Sequence, residues 1–171
     1  MISRRIVIRP EVARDIAAIN DVIDEAFLDV PYAEGDEAEL VNVLRRTGAL
    51  SVSLVAELDN AVVGHIAFSP ARSSNGASGW YGLGPLAVIP AHQNMGIGSA
   101  LLCKGLEIVS DLGAHGCILV GLPQIYSRYG FEQSPDNAPS DQPKEYFMVK
   151  IFKGGIPTCT LYFHEAFNQV T

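Results

Sequence analysis

The sequence predicts a single mixed α/β domain spanning residues 1–171, with a central sheet and flanking helices. Three observations carry that expectation. Short β-branched runs alternate with segments whose apolar residues recur every three or four positions, in the order β-α-α-β-β-β-α-β-α-β-β. A length of 171 residues with 48% hydrophobic residues is enough for one real core. The apolar run Leu86-Ala87-Val88-Ile89 ends at Pro90 and passes through a glycine-containing loop into a helix-period segment.

Arg5–Arg9 is β-branched and stops at Pro10, which reads as a first strand. From Glu11 to Phe27, Val12, Ile16, Ile19, Ile23 and Phe27 recur with helical spacing. Pro31 and Gly35 mark a loop. A second helix is expected over Asp36–Thr47, with Leu40, Val41 and Leu44 inward and Gly48 as its stop. Ser51–Leu58 and Ala61–Phe68 read as a hairpin turning at Asp59-Asn60. The stretch from Ser69 to Gly79, rich in Ser, Gly and Asn, reads as a loop. Trp80–Ile89 is strand-like but interrupted by Gly82, Gly84 and Pro85. Gly96–Leu112 should be a helix with Leu101, Leu102, Leu106, Val109 and Leu112 on its inner side, ended by Gly113. Cys117–Val120 is a short buried strand, and Pro123–Tyr129 a short helix capped by Gly130. Tyr146–Phe152 and Thr160–Phe163 supply terminal strands.

The balance of 12 basic and 19 acidic residues, a net charge of −7, argues against nucleic acid as a partner, which would need a basic face. Four scattered histidines and three cysteines show no metal-ligand spacing. Cys103 and Cys117 sit in apolar runs and are expected to be buried, reduced thiols. No apolar stretch approaches the ~20 residues of a membrane span, and the basic, then apolar, N-terminus is too short for a signal peptide. A cytoplasmic protein is expected. The terminal strands and the Pro135–Pro143 loop are surfaces through which a homodimer could form.

A strand that turns through glycines into a helix aims backbone N–H groups outward at the helix N-terminus, an arrangement suited to a phosphate. Here that turn is Gln93-Asn94-Met95-Gly96-Ile97-Gly98. Just before it, glycines flank a proline in Gly82-Leu83-Gly84-Pro85-Leu86-Ala87. Proline cannot donate to a sheet ladder, so this strand should carry a bulge. The same six residues fit a dinucleotide-binding GxGxxA pattern, but that pattern needs a helix at once, and here the strand continues. A P-loop motif is absent.

Gln93-Asn94-Met95-Gly96-Ile97-Gly98 matches [QR]-x-x-G-x-[GA] after a strand, and Tyr126-Ser127-Arg128-Tyr129-Gly130-Phe131 matches Y-x-x-x-G-F near the end of the fold. With these two motifs on the expected elements, the chain resembles the GNAT superfamily of acyl-CoA-dependent N-acetyltransferases over nearly its full length. VVGHIAFSP, GLGPLAV and the QxxGIGSALL loop resemble a bacterial, poorly characterised subgroup. The resemblance implies a mixed central sheet with a bulged strand and flanking helices. It also implies acetyl-CoA as acyl donor, no metal, and an amine acceptor, either a small molecule or a peptide.

By that resemblance, Gln93, Asn94, Met95, Gly96, Ile97, Gly98 and Ser99 wrap the pyrophosphate of coenzyme A. Side chains at Gly96 and Gly98 would block that approach, and the helix dipole favours the negative charge. The strand Leu86-Ala87-Val88 would receive the pantetheine, with Leu86 and Val88 bonding it through their main chain as an added strand does. The N–H near Leu86 would stabilise the tetrahedral oxyanion. Tyr126 stands where the family places the tyrosine that protonates the departing thiolate. Tyr129 reads as packing or a pocket wall, and Phe131 as core.

A general base is not named by the sequence. Trp80–Ile89 contains no carboxylate, and Gly121-Leu122-Pro123 lacks the Asn or acid that the family often carries there. Glu57 and His65 are the nearest candidates by topology. On the acceptor side stand Asp24, Glu25, Phe27, Glu34, Asp36 and Glu37, with Tyr32 and Trp80 as pocket walls. The carboxylates would suit a cationic amine, and equally the solvated faces of two helices. Direct transfer in a ternary complex to a primary amine is the leading reading. The alternatives are an acyl-CoA-binding module or sensor that has lost its base, and a nicotinamide-dependent oxidoreductase resting on Gly82-x-Gly84.

Overall fold

The computed structural model describes residues 5–168. Seven of its strands make one sheet: β1 (Ile6–Pro10), β2 (Val52–Leu58), β3 (Ala61–Pro70), β5 (Trp80–Val88), β6 (Gly116–Val120), β7 (Glu132–Gln133) and β8 (Phe147–Ile151). Their spatial order is β1-β2-β3-β5-β6-β8-β7. All neighbours run antiparallel except β5 and β6, which are parallel. Two short strands, β4 (Arg72–Ser73) and β9 (Leu161–Tyr162), pair separately and tie the C-terminal segment to the loop after β3. Neither β4 nor β7 is legible in the sequence, because a two-residue strand has no period to detect. The β2–β3 hairpin turns as expected at Asp59 and Asn60, both at positive φ (51° and 64°), as a two-residue turn between twisted strands requires.

Strand alternation divides the core between the two faces of the sheet. Leu54, Ala56, Ile66 and Phe68 point to one face and pack against Ile97, Leu101, Leu102, Leu106 and Val109 of α3 (Ile97–Asp111). Val55, Ala67 and Ala87 point to the other, against Ile19, Val22 and Ile23 of α1 (Ile16–Phe27) and Val41 of α2 (Glu37–Arg46). A third cluster gathers Trp80, Ile118, Phe147, Leu161 and Phe163. Trp80 is therefore a core residue, only 5% exposed, and not a wall of an open pocket.

The first helix begins later than its apolar spacing suggests. Asp15 accepts the Val12 N–H at 2.8 Å and two bonds from Arg9, at 2.7 and 3.0 Å. Those contacts hold its carboxyl down at about 2, the Arg9 bonds contributing most, and they fix a 3₁₀ turn over Ala13–Asp15 ahead of α1. Val12 is left exposed. On α3 the inward stripe includes Gly105, whose absent side chain makes room for the ring of Phe68. Cys103 lies off that stripe and is exposed, contrary to its expected burial, whereas Cys117 is fully buried. One residue is a 100° rotation on a helix, which is why an apolar neighbourhood in sequence did not place Cys103 inside. Leu112 is likewise exposed, because the helix ends at Asp111 and Gly113, at φ +88°, turns the chain away.

Candidate active site

Strand β5 has two unequal edges. Against β3 it pairs from Tyr81 to Val88. Against β6 the register covers only Trp80, Tyr81 and Gly82, opposite Gly116, Cys117 and Ile118. Beyond that point β6 follows β8 as far as Val120, and the two parallel strands part. A wedge opens whose one side is the unpaired edge of Leu83–Val88.

The irregular strand produces this geometry. Leu86 faces Ile66 and Leu83 faces Phe68, so Ala67 alone opposes Gly84 and Pro85, which are joined by a cis peptide bond. This is the bulge that the flanking glycines and proline imply. Downstream, the Ile89 N–H bonds the Val63 carbonyl at 3.0 Å. Strand alternation then turns the N–H groups of Leu86 and Val88 into the wedge and that of Ala87 towards β3. Ala87 presents only a buried methyl, on the α1 face. The Val88 carbonyl accepts the side-chain amide of Gln93 at 2.9 Å, which folds the following loop back over the strand end.

That loop is built for exposed N–H groups. Asn94 sits at φ +62° and Gly96 at φ +82°, the latter as N-cap of α3. The first intrahelical bond runs from the Ala100 N–H to the Gly96 carbonyl at 3.0 Å, which leaves the N–H groups of Ile97, Gly98 and Ser99 at the open end of the helix. Gly96 is explained by its backbone angle. Gly98 is not: it is helical, and a side chain there would meet only Val88, in ordinary contact at 3.8 Å. Met95 is exposed at the tip.

Tyr126 ends α4 (Pro123–Tyr126), half-buried, with its ring edge-on to Phe131 at 6.2 Å between centroids. Burial, with the neighbouring phenols of Tyr32 and Tyr129, pushes its hydroxyl above the ordinary tyrosine value, so it stays a proton donor. Its ring lies over Gly121, where any side chain would collide with it. Gly121 thus seats Tyr126 at the end of β6, a role with no signature in sequence. Gly130 closes the short helix at φ +89°. Tyr129 is half-buried, its carbonyl held by Lys150 at 2.8 Å, and Phe131 is core.

Of the two base candidates, Glu57 lies two strands from β5 and is engaged by the Arg9 guanidinium at 2.8 Å. His65 is opposite Ala87 on β3, fully buried, with Nε2 2.8 Å from the Ser53 hydroxyl. Asp24, Glu25 and Glu34 are solvated, Glu37 accepts the Glu34 N–H at 3.1 Å, and Tyr32 is 83% exposed in the loop between α1 and α2. A groove of about 580 Å³ between α1 and the β2–β3 hairpin is lined by Arg9, Arg14, Asp15, Glu57 and, just past the end of β5, Ile89. Among the described residues no group of three or more His, Cys, Asp or Glu could hold a metal, and no helix is long and apolar enough to cross a membrane.

A profile of the acetyltransferase (GNAT) family matches residues 17–131. The chain belongs to this family and is an acetyltransferase. It is similar to the uncharacterized N-acetyltransferase YhbS of Escherichia coli strain K12, 35% identical over 127 residues, covering 73% of this chain and 72% of that one. Among solved structures it resembles a GNAT family acetyltransferase from Brucella melitensis in complex with acetyl-CoA, with a TM-score of 0.86 and 40% identity, covering 96% of this chain and 99% of that one. It also resembles the structure of E. coli YhbS in complex with CoA, with a TM-score of 0.87 and 30% identity, covering 97% and 93%.

Proposed function

We propose that this enzyme, as one domain, moves the acetyl group of acetyl-CoA onto a primary amine by direct attack within a ternary complex. One observation carries the reading: the open edge of Leu83–Val88 runs straight into an N–H-rich helix start. Pantetheine adds to the open edge through the main chains of Leu86 and Val88, with Ala87 between them facing the core. Its pyrophosphate lies on Gln93, Asn94, Met95, Gly96, Ile97, Gly98 and Ser99.

The Leu86 N–H, the first donor beyond Pro85, polarises the thioester carbonyl. The amine lone pair attacks the carbonyl carbon, and the carbonyl electrons move onto an oxygen held by that N–H. As the intermediate collapses the C–S bond breaks, and Tyr126 gives its proton to the sulfur. The nitrogen gives up a proton on its side, and the Tyr126 phenolate regains one from solvent as the thiol leaves. Direct attack agrees with the cysteine positions, none of which falls on β5, the α3 turn or α4, and burial pushes the Cys117 thiol well above its ordinary value. Three free cysteines suit a reducing compartment, so we read the enzyme as cytoplasmic.

The test is a panel of amines with acetyl-CoA, read as thiol release. Tyr126→Phe should lower kcat about 100-fold, the lower end of general-acid effects, while acetyl-CoA binding is kept. Tight acetyl-CoA binding without turnover of any amine would replace this reading with that of a binding module.

A further inference from the structure

His65 is joined to a polar chain that reaches the surface. Arg45 grips the Glu11 carboxylate with two bonds, at 2.9 and 3.0 Å, and the Ser53 hydroxyl contacts the same carboxylate. Burial pushes Glu11 up, but the hydrogen bonds from Arg45 and Ser53 outweigh it and hold the carboxyl below its ordinary value. A carboxylate only accepts, so the single hydroxyl hydrogen of Ser53 goes to Glu11. Its oxygen must then accept from His65, whose Nε2 lies 2.8 Å away. Nε2 therefore carries the imidazole proton. Burial lowers His65 to about 4 and keeps the ring neutral, so Nδ1 bears the lone pair. That atom is buried and has no partner among the described residues. A buried acceptor left unpaired costs about 1–3 kcal/mol, and a folded protein keeps one for a reason.

The position supplies the reason. His65, Ala67 and Ser69 share the face of β3 turned to α1, and Ala67 is the residue opposed to Gly84 and Pro85 of the bulge. Ser69, fully buried, has a second unpartnered hydroxyl. Two buried orphan polar atoms thus flank the residue opposite the bulge, about 7 Å along the strand on either side. They lie on the face away from α3, whose open N-terminus receives the coenzyme in the proposed reaction. On the acetyl-transfer reading the incoming amine approaches from that face and loses a proton there.

We propose that His65 accepts the proton released by the acceptor amine, and that Ser53 and Glu11 hold it in the tautomer able to do so. This rests on the acetyl-transfer reading. After the N–C bond forms, the positively charged nitrogen gives a proton to a water molecule, which passes one to Nδ1. Nε2 keeps its own proton and its bond to Ser53, and the Glu11 carboxylate favours the transient imidazolium that burial and Arg45 disfavour. The proton returns to solvent when the amide product leaves. Leu86 and Tyr126 touch the reacting atoms, whereas Ser53 and Glu11 are positioning residues.

The test uses the full-length enzyme, acetyl-CoA and an amine that the wild type turns over. His65→Gln keeps an N–H for Ser53 but has no base. Its kcat should fall about 100-fold, with KM for both substrates within about threefold of wild type. Ser53→Ala and Glu11→Gln, which free the tautomer, should each lower kcat about tenfold with the same unchanged KM. The two positioning variants carry the test alone if His65→Gln does not fold. Wild-type kcat in these variants, or a raised KM with kcat preserved, overturns the proposal and leaves the acetyl-transfer reading standing. A wild-type enzyme that binds acetyl-CoA and acetylates no amine overturns both.

Discussion

The two halves of α3 carry glycines for opposite reasons. At Gly105 the space a side chain would fill is taken by the ring of Phe68, itself fully buried between helix and sheet. At Gly98, two turns earlier, the space is open and the backbone is ordinary helix. Glycine in a helix costs up to about 1 kcal/mol relative to alanine. The first gains close packing inside the protein. Nothing inside the protein requires the second, and contrary to the expected block the motif [QR]-x-x-G-x-[GA] admits alanine there. The core half of the helix is fixed by its neighbours, and the site half by the left-handed turn at Gly96 that opens it.

Three substitutions test that contrast. Gly105→Ala should have the largest effect, about 2 kcal/mol of lost stability by overpacking, read as a lower midpoint in denaturant with unchanged slope. A gain in stability would show that Phe68 can yield. Gly96→Ala should cost about 1–2 kcal/mol, because a side chain is strained in the left-handed region, and should weaken acetyl-CoA binding as the turn distorts. Gly98→Ala should have the smallest effect on folding and the opposite sign, a gain of about 0.5–1 kcal/mol from helix propensity. Its acetyl-CoA affinity should stay within about threefold of wild type by calorimetry, since the motif admits alanine there. A tenfold loss of affinity in Gly98→Ala would show instead that a ligand occupies the space of that methyl group.

The opposing edges of β5 repeat the contrast at the level of the sheet, and they show how far sequence can go. The bulge was legible because Gly84 and Pro85 cannot be regular strand residues. That Ala67 alone would oppose them, and that β6 would leave β5 after Gly82, was not legible, since strand partners are chosen by contacts remote in sequence. Tyr126 was legible from its motif, but Gly121, on which its ring rests, was not. His65 and Glu57 looked alike as base candidates in the sequence. The structure separates them by their partners, an arginine on one and a serine with an unpartnered ring nitrogen on the other.

By itself the sequence determined the order of elements, the hairpin at Asp59-Asn60, the glycine turn into α3 and the position of the irregular strand. These follow from local preferences: apolar period, allowed backbone angles, and the missing donor of proline. Only the tertiary structure decided which edge of β5 is open, which α3 residues reach the core, and which nitrogen of His65 is left unpaired. Those depend on side chains and strands meeting across 12 to 42 residues of chain, where burial and hydrogen-bond partners are settled by packing rather than by neighbours in sequence.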